Sequence, residues 1–545
     1  MKVFLAQLNP RIGDFTSLKS RMLQFLEEAR RHRAQLVVFP ELATCGYPPR
    51  DWLESRAFID GNIKLMDWLT NASQDIAIIC GGVERNPSPL GKPLWNAAVV
   101  LADGKRIATA HKSLLPYYDV FDEPRHFESG DGITVFSLHG HTIAVSICED
   151  VWNLPGFVAR PYPTRPLEML AGRRVDFMVH LSASPFEVAK PQKREALFSE
   201  VARTIQAPVL VCGQTGSNEE LIFDGGSLVM SAKGEVLLRA RSFHEEGILY
   251  TPELSPVAGP LSSEESFWLA SALECGVNDY VKKSGASKVI LGLSGGIDSS
   301  VVAAIATRAL GPAAVAGVAL PTRFTSRQSL EDAASLARNL QISYRIFSIE
   351  ESFATFSRLL PGLTGGKVAP LTLENLQPRL RMAALMALAN EEGRLLLNTS
   401  NKSEIATGYA TMYGDSAGAI AVLGDLLKHQ VYALARYYNQ IQPMIPESVL
   451  SRPPTAELRE NQTDQDTLPP YDVLDKLVEA TLVHQLSPSE LKLRFPEDAH
   501  WVDVFFRLYR VSEYKRRQLP PVLRVSSKAF GMGRRIPVTS EFPKG

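Results

Sequence analysis

The chain is short of cysteine, of long apolar runs and of net charge, and each shortage excludes something. Five cysteines are spread through 545 residues (Cys45, Cys80, Cys148, Cys212 and Cys275), and no two form a CxxC pair. An odd, scattered set argues against a disulfide framework or a zinc knuckle and suits a reducing cytosol. No apolar run approaches the ~20 residues that a membrane-spanning helix needs. The opening residues turn polar too soon for a secretory signal and read as a first strand. Lys plus Arg number 58 and Asp plus Glu 59, a formal net charge of −1. That balance offers no sequence-independent grip on nucleic acid, so neither nucleic acid nor a membrane is expected as a partner, and a cytoplasmic location is. Internal repeats and low-complexity tracts are also missing.

What is present is a globular composition, 45% hydrophobic and 21% charged, in a chain too long for one ordinary core. The first 250 residues alternate strand-like runs (3–8, 36–39, 76–80, 97–101, 142–147, 177–181, 209–213 and 227–230) with helical periodicity over 18–31 and 193–205. Asp103-Gly104 and Lys233-Gly234 mark hairpins, which suggests stacked sheets covered by helices. Residues 251–266, rich in proline and serine, read as a linker between domains at 1–250 and 267–545. Beyond it, strands at 288–293, 315–320, 344–348 and 395–399 alternate with helices at 299–310, 330–339 and 379–390, the pattern of a doubly wound parallel sheet. A second proline-rich polar stretch, 445–470, reads as a loop.

The most informative run is Ser294-Gly295-Gly296-Ile297-Asp298-Ser299, set between the strand ending Gly292-Leu293 and a helix. Small residues there expose backbone N–H groups at a helix N-terminus, a ready site for phosphate, and Asp298 could hold Mg²⁺ against phosphate oxygens. A plain serine-glycine turn is the bland alternative. The run around Gly362–Lys367 has the wrong spacing for a Walker-type loop. The 294–299 run resembles the SGGxDS loop of the ATP pyrophosphatase (PP-loop) superfamily, which binds the pyrophosphate end of ATP and adenylates a substrate oxygen.

In the first half, Glu41, Lys112 and Cys148 each stand directly after a strand-like run. A cysteine nucleophile needs a base and a group to stabilise the oxyanion, which a carboxylate and a lysine can supply; a buried cysteine and a surface lysine are the bland readings. The segments Phe39-Pro40-Glu41-Leu42, His111-Lys112-Ser113 and Ile147-Cys148-Glu149-Asp150 resemble the nitrilase (carbon–nitrogen hydrolase) superfamily, whose triad is Glu-Lys-Cys in that order. The resemblance implies an α-β-β-α sandwich, with Glu41 as general base, Lys112 stabilising the tetrahedral intermediate and Cys148 attacking an amide. It also implies a glutamine site at Tyr118, Ser184 and Lys190, with Ser184 as a cap and Tyr118 as core being the bland readings, and an auxiliary acid at Glu123. His139-Gly140-His141 reads as a hairpin turn rather than a metal pair.

In the second half, Glu374-Asn375 through Arg381, Asn398-Thr399 through Glu404, Tyr413-Gly414-Asp415 and Gly424-Asp425 through Lys428 resemble the synthetase domain of NAD synthetases. The resemblance implies that Gly292, Leu293, Ser294, Gly295, Gly296, Ile297, Asp298, Ser299 and Thr399 bind ATP. It implies that Asn375, Glu404 and Lys515 contact deamido-NAD, and that Lys428 approaches either the phosphates or the nicotinate. Asp298 and Glu404, hard carboxylates near phosphate, are the expected Mg²⁺ ligands, with helix capping the bland reading of Glu404. The basic tail 512–518 reads as a segment closing over the active site rather than an RNA contact.

Together the halves resemble glutamine-dependent NAD synthetases over nearly the whole chain. The implied reaction hydrolyses L-glutamine to ammonia, adenylates deamido-NAD with MgATP and forms NAD, AMP and pyrophosphate, in a homodimer or larger assembly. Free ammonia would be lost to water as ammonium, so a protected passage between the halves is expected. Other PP-loop adenylating enzymes and a non-catalytic nucleotide-binding regulator are the alternatives. The Gly-x-Cys-x-Gly elbow of GMP-synthetase-type glutaminases is absent.

Overall fold

Alternation along the first strand, Val3–Gln7, sets the layering of the N-terminal half. Val3 and Leu5 face one core, while Phe4 and Ala6 face another. In the computed structural model, which describes residues 1–158, 160–256 and 259–540, the chain divides into two units, Met1–Ser263 and Glu264 onward.

The first unit holds two six-stranded sheets. One runs Glu246–Tyr250, Val3–Gln7, Leu36–Val38, Ala77–Arg85, Leu94–Ala102, Lys105–His111; the other runs Val236–Arg239, Leu228–Met230, Val209–Gly213, Phe177–Ser182, His141–Ile147, Thr134–Leu138. In each, three central strands are parallel and the flanking ones antiparallel. Leu5, Val38, Ile79 and Val100 of the first sheet meet Ile143, Val145, Val179 and Leu210 of the second in a shared core. Helices Phe15–Arg31 and Arg56–Ala72 cover the outer face of the first sheet, and helix Lys190–Ile205 covers that of the second. This is the expected α-β-β-α sandwich.

Both Gly-containing turns close hairpins as expected, and His139-Gly140 turns a third. The hairpin Ala77–Arg85/Leu94–Ala102 is longer than its apolar runs, because backbone pairing continues past the polar residues Glu84 and Arg85 to Leu94. Helix Arg56–Ala72 lies outside the expected elements, as do the strands of the hairpin Thr215–Asn218/Leu221–Asp224.

The second unit carries a five-stranded parallel sheet in the order Ser343–Ile346, Val315–Ala319, Val289–Gly292, Leu395–Asn398, Ile420–Ala421. In chain order this is 3-2-1-4-5. The order reverses between Val289–Gly292 and Leu395–Asn398, and a crevice for ligands opens beyond the carboxyl ends of strands at such a point. Helix Pro370–Glu392 packs Leu385 and Ala389 on Ile290, Val318 and Leu396. It begins well before the expected Arg379, since Pro370 suits a first turn and Pro378 is accommodated inside it. Helices Glu265–Lys283 and Glu350–Thr364 lie outside the expected set; the first starts within the expected linker, and the second ends at the run once weighed against a Walker loop. Helices Tyr471–Leu482 and Ala499–Val511 build a further core with Ile405 and Ala406.

His180 lies in the strand Phe177–Ser182, fully buried, with Nδ1 2.8 Å from Ser146 Oγ and its ring against Phe198. Nε2 has no partner. Burial, with Lys112 and Arg194 adding to it, pushes the imidazole down to about 3. The unfolded chain binds this proton below about 6.5 and the folded one does not, so His180 adds stability above that pH and loses it as pH falls toward 3. On moving from pH 7 to pH 5, urea unfolding of the first unit should lose on the order of 2 kcal/mol less in His180→Gln than in the parent chain. An equal loss in both chains would refute this.

Candidate functional site

The residues expected to carry chemistry in the first unit come together where strands end. Glu41 lies just beyond Leu36–Val38, Lys112 directly follows Lys105–His111, and Cys148 directly follows His141–Ile147. Gly81 lies beneath Glu41; a Cβ there would meet Glu41 Cα at 2.6 Å and Pro40 O at 2.3 Å. Lys112 Nζ donates to Glu41 Oε1 at 2.7 Å and to Glu123 Oε1 at 2.8 Å, with both lysine and Glu41 side chains fully buried. Asn96 Nδ2 donates to Glu41 Oε1 at 2.8 Å, and the Ala183 amide donates to Oε2 at 2.8 Å. Tyr47 OH donates to Glu123 Oε1 at 3.1 Å.

Electrostatics follow from one ammonium shared by two carboxylates. Burial opposes the charge on Lys112, but Glu123 and Glu41 outweigh it and hold the ammonium well above the usual lysine range. Burial raises Glu123 above the usual carboxylate range, with Lys112 opposing. Burial first, and then the Glu41 carboxylate, push the Cys148 thiol well up. The resting thiol is therefore neutral, and its proton must leave as it attacks.

Cys148 adopts φ 41°, a left-handed conformation rare for a side chain other than glycine, at the start of the short 3₁₀ turn Cys148–Val151. Asp150 holds that turn, accepting from the amides of Ser113, Leu114 and Ile147 and from Ser113 Oγ. Ser182 Oγ donates toward Cys148 Sγ at 3.8 Å. Glu149 is buried next to the thiol and accepts from Tyr118 OH at 3.0 Å and Tyr162 OH at 2.9 Å on one oxygen. Lys190 Nζ donates to the Pro185 carbonyl and lies 5.8 Å from the centre of the Trp152 ring. Ser184 is half-buried beside Ala183.

In the second unit the turn after Val289–Gly292 opens helix Ile297–Leu310, as expected. Gly295 has φ +77°, and a Cβ on it would meet the Ser329 carbonyl oxygen at 2.2 Å, so only glycine fits. Gly292, Leu293, Ser294, Gly296, Ile297, Asp298 and Ser299 line a cavity with Thr399, Glu404 and Lys428. Lys428 Nζ donates to Asp298 Oδ2 at 2.6 Å and to Glu404 Oε1 at 3.4 Å. Asn401 Nδ2 donates to Asp298 Oδ1 at 2.9 Å. Glu404 Oε2 accepts from the Asn401 amide, so this carboxylate both caps a helix and faces the cavity.

Burial and then Asp298 raise Glu404 above the usual carboxylate range, while Asp298 and Glu404 lift Lys428 against its own burial. Asp464 adds a third carboxylate to the cavity wall; burial raises its proton affinity, and its Oδ2 accepts from Tyr471 OH at 2.9 Å. Burial raises the proton affinity of two of these three carboxyl groups, and a divalent cation, which hard oxygen donors fit, would displace those protons.

The expected dinucleotide contacts are less tightly gathered. Asn375 accepts from Thr411 Oγ1, and Lys515 Nζ donates to the carbonyls of Gly408 and Ala410; neither lines the cavity. In the tail, Arg516 is buried against Tyr509 and Phe530. Several residues escaped sequence reasoning. The proline-rich stretch 445–470 brings Arg452, Glu457 and Asp464 to the cavity wall. There Arg452 donates to the Gly295 carbonyl at 2.8 Å and to Ser329 Oγ at 3.0 Å. Asn96 and Glu149 were missed as well, and adjacency to Cys148 was the only available signal for Glu149. Elsewhere the exposed Asp51 and Glu54 lie beside the mostly buried His126, but Arg125 already pairs with both carboxylates.

Family models match both halves of the chain. The carbon-nitrogen hydrolase family model matches residues 2–253, and the NAD synthase model matches residues 269–520. A glutamine-dependent NAD(+) synthetase of Synechocystis is 41% identical over 560 residues, covering 100% of this chain and 99% of the relative. One from Thermotoga maritima is 38% identical, covering 99% of each. Among solved structures, the glutamine-dependent NAD+ synthetase of Acinetobacter baumannii in complex with ADP superposes with a TM-score of 0.78 at 36% identity, over 98% of each chain. That of Cytophaga hutchinsonii has a TM-score of 0.85 at 21% identity over 99% of this chain and 98% of its own, a likeness of fold. With relatives of this identity spanning its full length, the chain belongs to the glutamine-dependent NAD(+) synthetase family.

Proposed function

We propose that this protein makes NAD from deamido-NAD, ATP and L-glutamine. The observation that carries this reading is the presence in one chain of a buried Glu41–Lys112–Cys148 cluster and a phosphate-type loop facing three carboxylates. Full-length relatives of the same description support it.

In the first unit Cys148 Sγ attacks the side-chain amide carbon of glutamine while Glu41 takes the thiol proton. Lys112, held as an ammonium by its two carboxylates, stabilises the developing oxyanion. Glu41 returns its proton to the leaving nitrogen, ammonia departs, and water hydrolyses the thioester to glutamate. The amino acid end of glutamine carries both charges, and Lys190 and Glu149 offer the opposite ones; Tyr118 and Ser184 complete that cradle.

In the second unit the backbone from Gly292 to Ser299, with Thr399, holds ATP by its phosphates. The ADP bound to the Acinetobacter baumannii relative supports a nucleotide here. Asp298 and Glu404 would hold Mg²⁺, which neutralises charge on the phosphate oxygens. A nicotinate carboxylate oxygen of deamido-NAD attacks the α-phosphorus and pyrophosphate leaves; ammonia then attacks the acyl carbon and AMP leaves. Adenylation is needed because a carboxylate is a poor electrophile until its oxygen becomes a good leaving group. Asn375, Glu404 and Lys515 hold the dinucleotide, and Lys428 steadies the Asp298–Glu404 pair beside it.

The second unit also suggests its own partner. Ile346, Phe347, Phe356, Leu359, Leu363 and Leu371 are all exposed, Leu363 at 84%, on the edge strand and the two helices that follow. Apolar surface of this kind beside an unpaired strand edge fits a second copy of the chain. None of the five cysteines is in a disulfide, and among the described residues no helix is long and apolar enough to cross a membrane; these agree with a cytoplasmic enzyme.

The purified chain should form NAD from deamido-NAD and MgATP with either glutamine or ammonia; no product with either nitrogen source would sink the assignment. Cys148→Ala should lose the glutamine reaction by at least roughly 1000-fold and keep the ammonia reaction within about threefold. Asp298→Asn should cut ammonia-supported synthesis by roughly 100-fold and raise the Mg²⁺ needed for half-maximal rate, whereas an unchanged Mg²⁺ requirement would remove Asp298 from the metal site. Leu359→Asp should shift the mass in solution from dimer or larger toward monomer, and an unshifted mass would reject this face as the interface.

A further inference from the structure

Asn96 is the first polar interruption of an apolar strand, Leu94–Ala102. Ala98 and Val100 face the core between the two sheets, and Asn96 shares their parity. It therefore stands on the same face at the strand's end, where that core gives way to the acid–base cluster. Its backbone carbonyl accepts from the Lys112 amide at 2.9 Å. Its Nδ2 donates to Glu41 Oε1 at 2.8 Å. One residue thus ties down two members of the cluster, one through its backbone and the other through its side chain.

The other end of the same amide is unsatisfied. Asn96 is 1% exposed, and among the described residues its buried Oδ1 has no hydrogen-bond partner. A buried acceptor left unmade works against folding, and a leucine of similar shape would avoid that cost. Packing therefore does not account for an asparagine here, whereas donation to Glu41 does.

Glu41 must do two things: take a proton from Cys148 and stay aimed at it. Its carboxylate receives Asn96 and Lys112 on Oε1 and the Ala183 amide on Oε2. Two donors on Oε1 tie up that oxygen. Oε2, with one donor, keeps a lone pair for the thiol proton. Asn96 does this as a neutral donor, adding orientation without a second positive charge that would weaken the base.

We propose that Asn96 is a positioning residue for the glutamine-hydrolysing base, locking the Glu41 carboxylate so that Oε2 is the oxygen presented to Cys148. The proposal rests on the glutaminase reading of the first unit. It is tested in the full-length chain with Asn96→Leu, which keeps the bulk and removes the donor, and Asn96→Asp, which keeps the shape and replaces the donor with an acceptor. For both, kcat for glutamine hydrolysis should fall roughly 10- to 100-fold, since small misplacement of a reacting group costs that much. KM for glutamine should stay within about twofold, because the residue acts on the base and not on substrate.

Iodoacetamide alkylation of Cys148, which needs no glutamine, should slow by about tenfold. Asn96→Leu gives up a hydrogen bond to a buried carboxylate, so its thermal midpoint should fall, while the split between kcat and KM and the slower alkylation are what a purely structural role does not predict. Unchanged kcat and alkylation would overturn the proposal, as would a fall in kcat matched by a rise in KM. If the parent chain itself fails to hydrolyse glutamine, the glutaminase reading falls; if the parent is active and both variants match it, only this inference falls.

Discussion

Each unit is organised around one buried ammonium held between two carboxylates. Lys112 joins Glu41 and Glu123; Lys428 joins Asp298 and Glu404. Neither charge could be buried alone, and breaking such a pair by removing one partner costs ~3–5 kcal/mol because the other is stranded. The constraint runs in both directions. The carboxylates hold the lysine charged, and the lysine lets two acids stand close enough to act on the same group. In the first unit, burial first and then the Glu41 carboxylate keep the Cys148 thiol protonated until a substrate carbonyl is there to be attacked.

The sheets deliver these groups to one place because strands end there. Glu41, Lys112 and Cys148 leave three different strands at the same end of the sandwich, and the Asp298 loop leaves a fourth strand at a switch point in another sheet. Loops at strand ends can bear unusual backbone because the strands behind them are fixed. Cys148 at φ 41° and Gly295 at φ +77° are two such cases. Gly81, buried inside a strand, allows the Glu41 segment to approach it closely.

Much of this was legible in the sequence. Strand–turn–helix context marked 294–299, and three ordered segments marked Glu41, Lys112 and Cys148, since each follows an apolar run with a charged or reactive residue. Both sheet systems could be read from apolar runs, joined by Gly turns in the first half and alternating with helices in the second. Other features left no such trace. Asn96 looks like a defect in an apolar strand until its parity and its partner are known. Arg452, Glu457 and Asp464 sit in a stretch with no periodicity, where proline and polar residues read as loop whether or not the loop covers a site. Helix Glu350–Thr364 does carry an apolar stripe, Phe353, Phe356, Leu359 and Leu363, but only Phe353 of it is buried.

The two ammonium clusters differ in exposure, and the difference matches their chemistry. Lys112 and Glu41 are wholly buried, and Glu123 nearly so. A closed cluster with every charge fixed suits proton transfer, where geometry must not relax and water would compete for the thioester. Asp298 and Glu404 keep 19% and 17% of their side-chain surface exposed, while Lys428 keeps 2%. A buried ammonium with its carboxylates left open toward a cavity can trade partners. On the proposed function, phosphate oxygens would draw the ammonium while a cation takes up the carboxylates. The same arrangement of one lysine and two acids would then serve as a fixed proton relay when sealed and as an exchangeable electrolyte site when open. Burial, more than residue identity, separates the two uses.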